Sequence, residues 1–268
     1  MPTTKPTSSA SAAGTQTIHR AVTLLRLITV NNRNGIRLVD LYRHTGMERP
    51  TTHRILQGLI AEKLAQQDPQ SKRYYLGSLV YEMGLAATPP LAMRDVCKPY
   101  LQTIADKTGG TVFMTIRSGF DGVCVARADG TSPLKIFTHD IGRHRPLNVG
   151  AGGMALLSAM SDEDINRICH INIERTISKN PRFSENALRA DIDATRKRGY
   201  ALTKVMNVPA AQSIGIAVRH PDGTPAAGIS VSALMPNFDL GQIDAVAQCI
   251  RDAVGTIEGK LASAAQSI

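Results

Sequence analysis

The sequence predicts an α+β protein of two domains, one mostly helical ahead of residue 77 and one built around a sheet after residue 90. Three observations predict it. Residues 36–60 hold two amphipathic helical patterns joined by Thr45-Gly46, with a short hairpin pattern after them. Pro89-Pro90 breaks the apolar helical run that follows. Beyond it, strand-length apolar runs mix with helical ones, as in a largely antiparallel sheet with flanking helices. At 268 residues the chain can give each domain its own core.

Residues 1–16 are rich in Thr, Ser, Ala and Pro and read as a flexible tail without the apolar centre of a secretory signal. Ala21, Leu24, Leu25 and Ile28 keep helical spacing over 17–30, and the turn-rich 31–35 ends that helix. Ile36, Leu38, Val39 and Leu41 supply the apolar side of the next short helix. Gly46 can take the left-handed conformation that stops it. Glu48-Arg49-Pro50 opens a third helix, because proline is tolerated in a first turn where its missing N–H is not needed. Ile55, Leu56, Leu59 and Ile60 form that helix's apolar face. Thr52 projects toward this face, Pro50, Arg54 and Gln57 project away from it, and Thr51 and His53 lie at its edges. The outward surface is short, polar and basic, as a helix that reads base edges and phosphates must be. An ordinary pair of surface helices is the alternative.

Residues 64–68 and 74–76 flank a polar break and form a hairpin with Lys72 and Arg73 at its tip. Three helices and a hairpin make a winged helix-turn-helix over 17–77, with the basic tip set to touch phosphates or a minor groove; a solvated turn is the alternative reading. Residues 78–90 are the linker helix. In the second domain, helices are expected over 93–108, 151–160, 162–171, 185–198 and from Asp239 onward. Strands are expected over 111–117, 122–128, 134–138, 200–205, 213–218 and 226–233, with His220-Pro221-Asp222-Gly223 turning between the last two.

The net charge is +9, and residues 17–80 carry +6 of it in under a quarter of the chain. The helix pair thus sits in the most basic segment, which favours a polyanionic partner. Cys97, Cys124, Cys169 and Cys249 form no C-x-x-C pair and have no histidine at zinc spacing, so reduced thiols of a cytoplasmic protein are expected and no metal site. No apolar run approaches a membrane span. There is no hydrolase elbow, phosphate-binding loop or paired-carboxylate arrangement, and no cofactor is implied. An enzyme using Cys124 or Cys169 as nucleophile is the weaker alternative, since nothing near either in sequence would activate it.

Gly150-Ala151-Gly152-Gly153 precedes an apolar helix. Small residues let a ligand approach the backbone there, and the N–H groups of a helix start favour an anion. The segment lacks the sixth-position glycine and the strand–helix surroundings of a dinucleotide site. Ser230 and Ser232 alternate on a strand and so share one face, either as a polar pocket wall or as plain solvent-facing alternation.

The motifs H-R-A-V-x-L-L (His19–Leu25), L-x-D-L-x-x-x-T-G-M (Leu38–Met47), R-P-T-T-H-R-I-L (Arg49–Leu56) and Y-x-L-G (Tyr74–Gly77 region, Tyr75-Leu76-Gly77) occur in that order. With Arg145–Ala155, Arg198-Gly199-Tyr200, Ser213–Ile216 and Gly228–Ser232, they resemble the IclR family of bacterial transcriptional regulators over residues 17–265. The resemblance implies a winged helix-turn-helix joined by the linker helix to a GAF/PAS-like effector-binding domain over 91–268. It implies a repressor or activator that binds operator DNA as a homodimer or dimer of dimers and answers to a small carboxylic or aromatic acid. A DNA-binding protein without a ligand is the alternative.

The resemblance carries over Arg49, Thr51, His53 and Arg54 as DNA contacts. Thr52 within the same motif, Gln57 from the helix projection, and Lys72 and Arg73 at the wing complete the expected interface. One of Arg49 and Arg54 is expected on a base and the other on a phosphate, with a buried ion pair as the alternative for Arg54. Arg145 aligns with a pocket position and can clamp a carboxylate, a solvated loop charge being the alternative. Thr203 and Ser213 are added as a wall facing Ser230 and Ser232, with Gly150 and Ala151 at the helix start. The chain departs from the family pattern at Pro50, Asn148, Met154 and Ala210, and it lacks acidic residues over 203–206.

Overall fold

The computed structural model describes residues 9–86, 90–132, 140–177, 183–205, 208, 211–234 and 240–265, in two compact units, 1–88 and 89–268. The first unit runs α1 (Ser9–Asn31), α2 (Leu38–Thr45), α3 (Arg49–Ala61), β1 (Ala65–Gln67), β2 (Tyr74–Leu76) and α4 (Ser78–Ala86). Leu24 and Ile28 of α1, Leu41 of α2 and Leu56 of α3 are fully buried together, with Tyr74 of the hairpin closing the cluster. Gly46 ends α2 at φ 67°, as the sequence requires of a tight turn.

Two expectations change here. The helix begins at Ser9 rather than Thr17, so the tail reading fails over 9–16, where an alanine-rich run favours helix; residues 1–8 lie outside the described residues. Ile36 is not in the second helix. It pairs with Tyr74 through two backbone hydrogen bonds, 3.1 and 2.8 Å long, and adds a one-residue third rung to the wing.

The second unit holds α5 (Pro90–Thr108), β3 (Thr111–Ser118), β4 (Asp121–Asp129), β5 (His144–Pro146), α6 (Ala151–Ser158), α7 (Asp162–Ile177) and α8 (Glu185–Arg198). It continues with β6 (Ala201–Lys204), β7 (Ala211–Arg219), β8 (Pro225–Leu234) and α9 (Leu240–Ala265). The strands form one antiparallel sheet in the order β5-β4-β3-β8-β7-β6. One face buries Met114, Ile229 and Val231 against Leu101 and Ile104 of α5 and Ile250 and Ile257 of α9. A second core joins Leu156 and Leu157 of α6 to Ile168 of α7 and Leu188 of α8. Strand β5 is not among the expected strands, and Arg145 sits in it. The strand expected over 134–138 lies outside the described residues.

Helix α6 lies on the sheet backbone to backbone. A Cβ at Gly228 would overlap the carbonyl oxygen of Gly152, one at Gly215 that of Ala151, and one at Gly153 that of Leu147. A Cβ on Gly152 would come 2.9 Å from Thr115 Oγ1. Gly152 therefore serves helix–sheet packing and Gly153 the close approach of α6 to the turn after β5, where the sequence suggested room for a ligand. Gly228→Ala is expected to lift α6 and destabilise the protein by about 1–3 kcal/mol, to be measured by urea unfolding against wild type.

Candidate nucleic-acid interface and effector pocket

Helix α3 starts after an extended Glu48, with no side-chain cap and Pro50 in its first turn. Arg49, His53, Arg54 and Gln57 are exposed and Thr51 is half-buried. Neither Arg49 nor Arg54 bonds another described residue, so Arg54 is not the buried ion pair that was its alternative. Gln57 Nε2 and His53 Nε2 approach to 3.5 Å, one helical turn apart. The exposed set is one polar strip along the outer side of the helix.

Thr52 does not belong to that strip. It is 0 % exposed, and its hydroxyl donates to the Glu48 carbonyl at 3.0 Å. The expectation that Thr52 touches DNA is corrected: a side chain inside the helix packing reaches no base or phosphate. The wing divides in the same way. Lys72 stands exposed at the tip with φ 56°. Arg73 is half-buried, and its Nη1 donates to the Gly35 carbonyl at 2.8 Å and lies 3.3 Å from that of Asn34. Arg73 thus clamps the wing to the loop after α1, which weakens its expected role at phosphates.

The residues expected at the effector site come from four separate stretches, and the structure brings them together. Arg145, Gly150, Ala151, Thr203, Ser213, Ser230 and Ser232 all line one cavity of about 30 Å3, with Val149, Lys204 and Val205 completing the wall. Sheet register explains the convergence. Thr203 pairs with Ser213, Ser213 with Ser232 and Ser232 with Thr111, which makes a row of hydroxyl residues across β6, β7, β8 and β3. Ser230 is two residues along on the same face. Ser213 Oγ and Ser232 Oγ are 2.5 Å apart, both buried, and the Thr203 hydroxyl is buried without a hydrogen-bond partner. Thr111 is buried at the end of this row and does not line the cavity; only cross-strand register, which a single sequence does not display, sets it opposite Ser232.

Arg145 and Lys204 are basic, and no carboxylate lines the cavity among the described residues. Burial, then repulsion from Arg143, pulls the Arg145 pKa down to about 10, which leaves it charged at neutral pH. Asn148 lies outside the lining. It is buried, its Nδ2 donates to Thr176 Oγ1 at 3.0 Å, and its Oδ1 finds no partner. Met154 is packed in the core under α6, and Ala210 lies outside the described residues. The cysteines offer no nucleophile: burial pushes Cys124 up to about 12 and raises Cys169, so both are thiols at neutral pH.

Comparison with known proteins decides the assignment. Residues 86–258 match the family model described as the bacterial transcriptional regulator IclR C-terminal domain, and residues 17–69 match the IclR helix-turn-helix domain. The chain belongs to the IclR family. It is 24 % identical over 224 residues to the HTH-type transcriptional regulator XynR of Escherichia coli strain K12, covering 84 % of this chain and 88 % of that one. An IclR transcriptional regulator from Alicyclobacillus acidocaldarius shares the fold with a TM-score of 0.73 at 17 % identity, over 92 % of this chain and 98 % of that one. An IclR homologue from Microbacterium hydrocarbonoxydans, solved in complex with 4-hydroxybenzoate, shares it with a TM-score of 0.72 at 18 % identity, over 92 % and 99 %.

The protein is thus an IclR-family transcriptional regulator with a helix-turn-helix domain and a C-terminal ligand-binding domain, and its homologues are regulators, not enzymes. For an IclR-type helix-turn-helix with this exposure pattern, Thr52→Val should leave operator affinity within about twofold, because the residue is interior. Lys72→Ala should lower the slope of log affinity against log salt by about one. Arg73→Ala should instead lower the unfolding temperature of the first unit. Fluorescence anisotropy across a salt series, alongside calorimetry, separates the three.

Proposed function

We propose that this regulator binds operator DNA as a symmetric homo-oligomer and changes its affinity when a small carboxylic acid enters the hydroxyl-lined cavity. Support for the DNA half is the exposed polar strip of Arg49, His53, Arg54 and Gln57, with the half-buried Thr51 at its edge and Lys72 exposed on the wing. Arginine reads guanine and glutamine reads adenine through paired hydrogen bonds. One short helix covers few base pairs, so a dimer or a dimer of dimers on paired half-sites follows, in the cytoplasm where DNA and metabolite meet.

The single observation that carries the effector reading is the meeting of a partly buried Arg145 with four hydroxyl residues in a cavity that no carboxylate lines among the described residues. Guanidinium and carboxylate form paired charge-assisted hydrogen bonds. The remaining hydroxyls satisfy further acceptors, and the first N–H groups of α6 add positive potential at Ala151. That a homologue was solved with 4-hydroxybenzoate, itself a small carboxylic acid, is in keeping with this class. The cavity of about 30 Å3 is room for a water molecule rather than an acid of several atoms. Effector binding therefore selects a wider state of the pocket, and the affinity includes the free energy of that widening.

Isothermal titration with a panel of small carboxylic acids tests the reading. At least one acid should bind wild type, and Arg145→Ala should weaken it by about tenfold or more. Ser232→Val should weaken the same acid while leaving operator affinity in its absence unchanged. Equal binding by wild type and Arg145→Ala removes the clamp, and an operator complex indifferent to every acid that binds removes the coupling.

A further inference from the structure

The second unit holds another cavity, of about 240 Å3, at the far end of α6 from the hydroxyl row. Helix α6 is eight residues long, so the two ends lie about 12 Å apart along its axis. The two cavities share this helix and no lining side chain. Ser158, the last residue of α6, lines the second one. It is 6 % exposed and its hydroxyl has no hydrogen-bond partner, although a helical serine ordinarily returns its hydroxyl to the carbonyl four residues back.

Two arginines flank that serine. Arg196 Nε donates to the Ser158 carbonyl at 2.9 Å, Nη2 to that of Met160 at 3.0 Å and Nη1 to Asp162 at 2.8 Å. Arg219 Nη1 donates to the Gly223 carbonyl at 2.8 Å and lies 3.4 Å from that of Ala159. The carbonyls that end α6 are thus turned onto guanidinium groups, which cancels the negative end of the helix at this cavity. Asp162 is 81 % exposed and neutralises Arg196 weakly. Glu258 accepts from the Arg219 backbone N–H at 2.7 Å and does not bond its guanidinium. No carboxylate lines this cavity among the described residues. The Arg219 Nε and Nη2 donors bond no other described residue.

We propose that this cavity is a second ligand site, taking a small metabolite through an oxyanion group held by the Arg219 guanidinium and the Ser158 hydroxyl, with the braced Arg196 adding positive potential beside them. The volume suits about eight non-hydrogen atoms. Carboxylate and phosphate share the required chemistry. The site stands whether or not an acid enters the first cavity. By linkage, any effect of an occupant here on the first cavity acts equally in reverse through α6.

The test uses the full chain with sodium phosphate and sodium malonate as probes, at ionic strength held constant with sodium chloride. Binding is read by isothermal titration and by the rise in unfolding temperature. Wild type and Arg145→Gln should bind at least one probe alike, and Arg219→Gln should bind it about tenfold or more weakly. Ser158→Ala removes one buried hydroxyl and should also weaken the probe; it carries the test alone if Arg219→Gln does not fold. Binding of phosphate only assigns a phosphorylated metabolite, and binding of malonate only assigns a carboxylate. Failure of both probes to bind overturns the proposal, as does undiminished binding by Arg219→Gln and Ser158→Ala, or loss confined to Arg145→Gln.

Discussion

The backbone contact between α6 and the sheet is the constraint on which the rest of the ligand-binding domain depends. Glycine in an element interior costs stability, about 0.5–1 kcal/mol relative to alanine. Here Gly152 and Gly153 fall in one helix while Gly215 and Gly228 fall in the strands beneath it. The carbonyls of Ala151 and Gly152 occupy the places that Cβ atoms of residues 215 and 228 would take. That approach lowers the first turn of α6 onto the row from Thr203 to Ser232. It makes the first cavity small and polar, and it commits the eight buried residues of α6 to move, if they move, as one body.

Electrostatics follow from this geometry. Arg145 reaches the cavity from β5, an edge strand of three residues, and is partly stripped of water there. Its pKa is pulled toward 10 because burial disfavours the charged form. Among the described residues the lining returns hydroxyl dipoles and helix N–H groups but no carboxylate, which favours positive potential in a region of low dielectric. On the proposed reading, an acid that enters restores what burial has withdrawn while the size of the cavity opposes it, and the balance of these two terms sets its affinity.

How far this was legible depended on whether each signal was local. The pairing of Ser230 with Ser232 is a period of two and needs no partner strand. Thr111 opposite Ser232 is a matter of register between segments more than a hundred residues apart, and no local pattern shows it. Arg145 was legible as a charge in the right place, but a three-residue strand is too short for periodicity, so its strand was not. The glycines announced a close approach without saying of what, and the partner proved to be the sheet. In the first unit the helical projection already turned Thr52 inward, and its place in the recognition motif gave the wrong impression. Ile36 was rightly read as core, but a single bridge to Tyr74 has no sequence period to betray it.

Basic residues divide the same way in both units, and the division limits what net charge can say. Arg73 holds the Gly35 carbonyl, and Arg196 holds those of Ser158 and Met160. Such arginines act as braces: their donors satisfy backbone acceptors that water or secondary structure would otherwise have to meet. Arg49 and Arg54 brace nothing among the described residues. A brace keeps its charge and adds to the long-range field that steers an anion toward the surface. It cannot close on a phosphate without releasing its carbonyl, so it contributes less to the contact itself. The net +6 over residues 17–80 therefore does not count the cations that can release counterions from DNA. On the proposed reading, affinity at the operator rests on the arginines that the fold leaves unengaged, and attraction toward it on all of them.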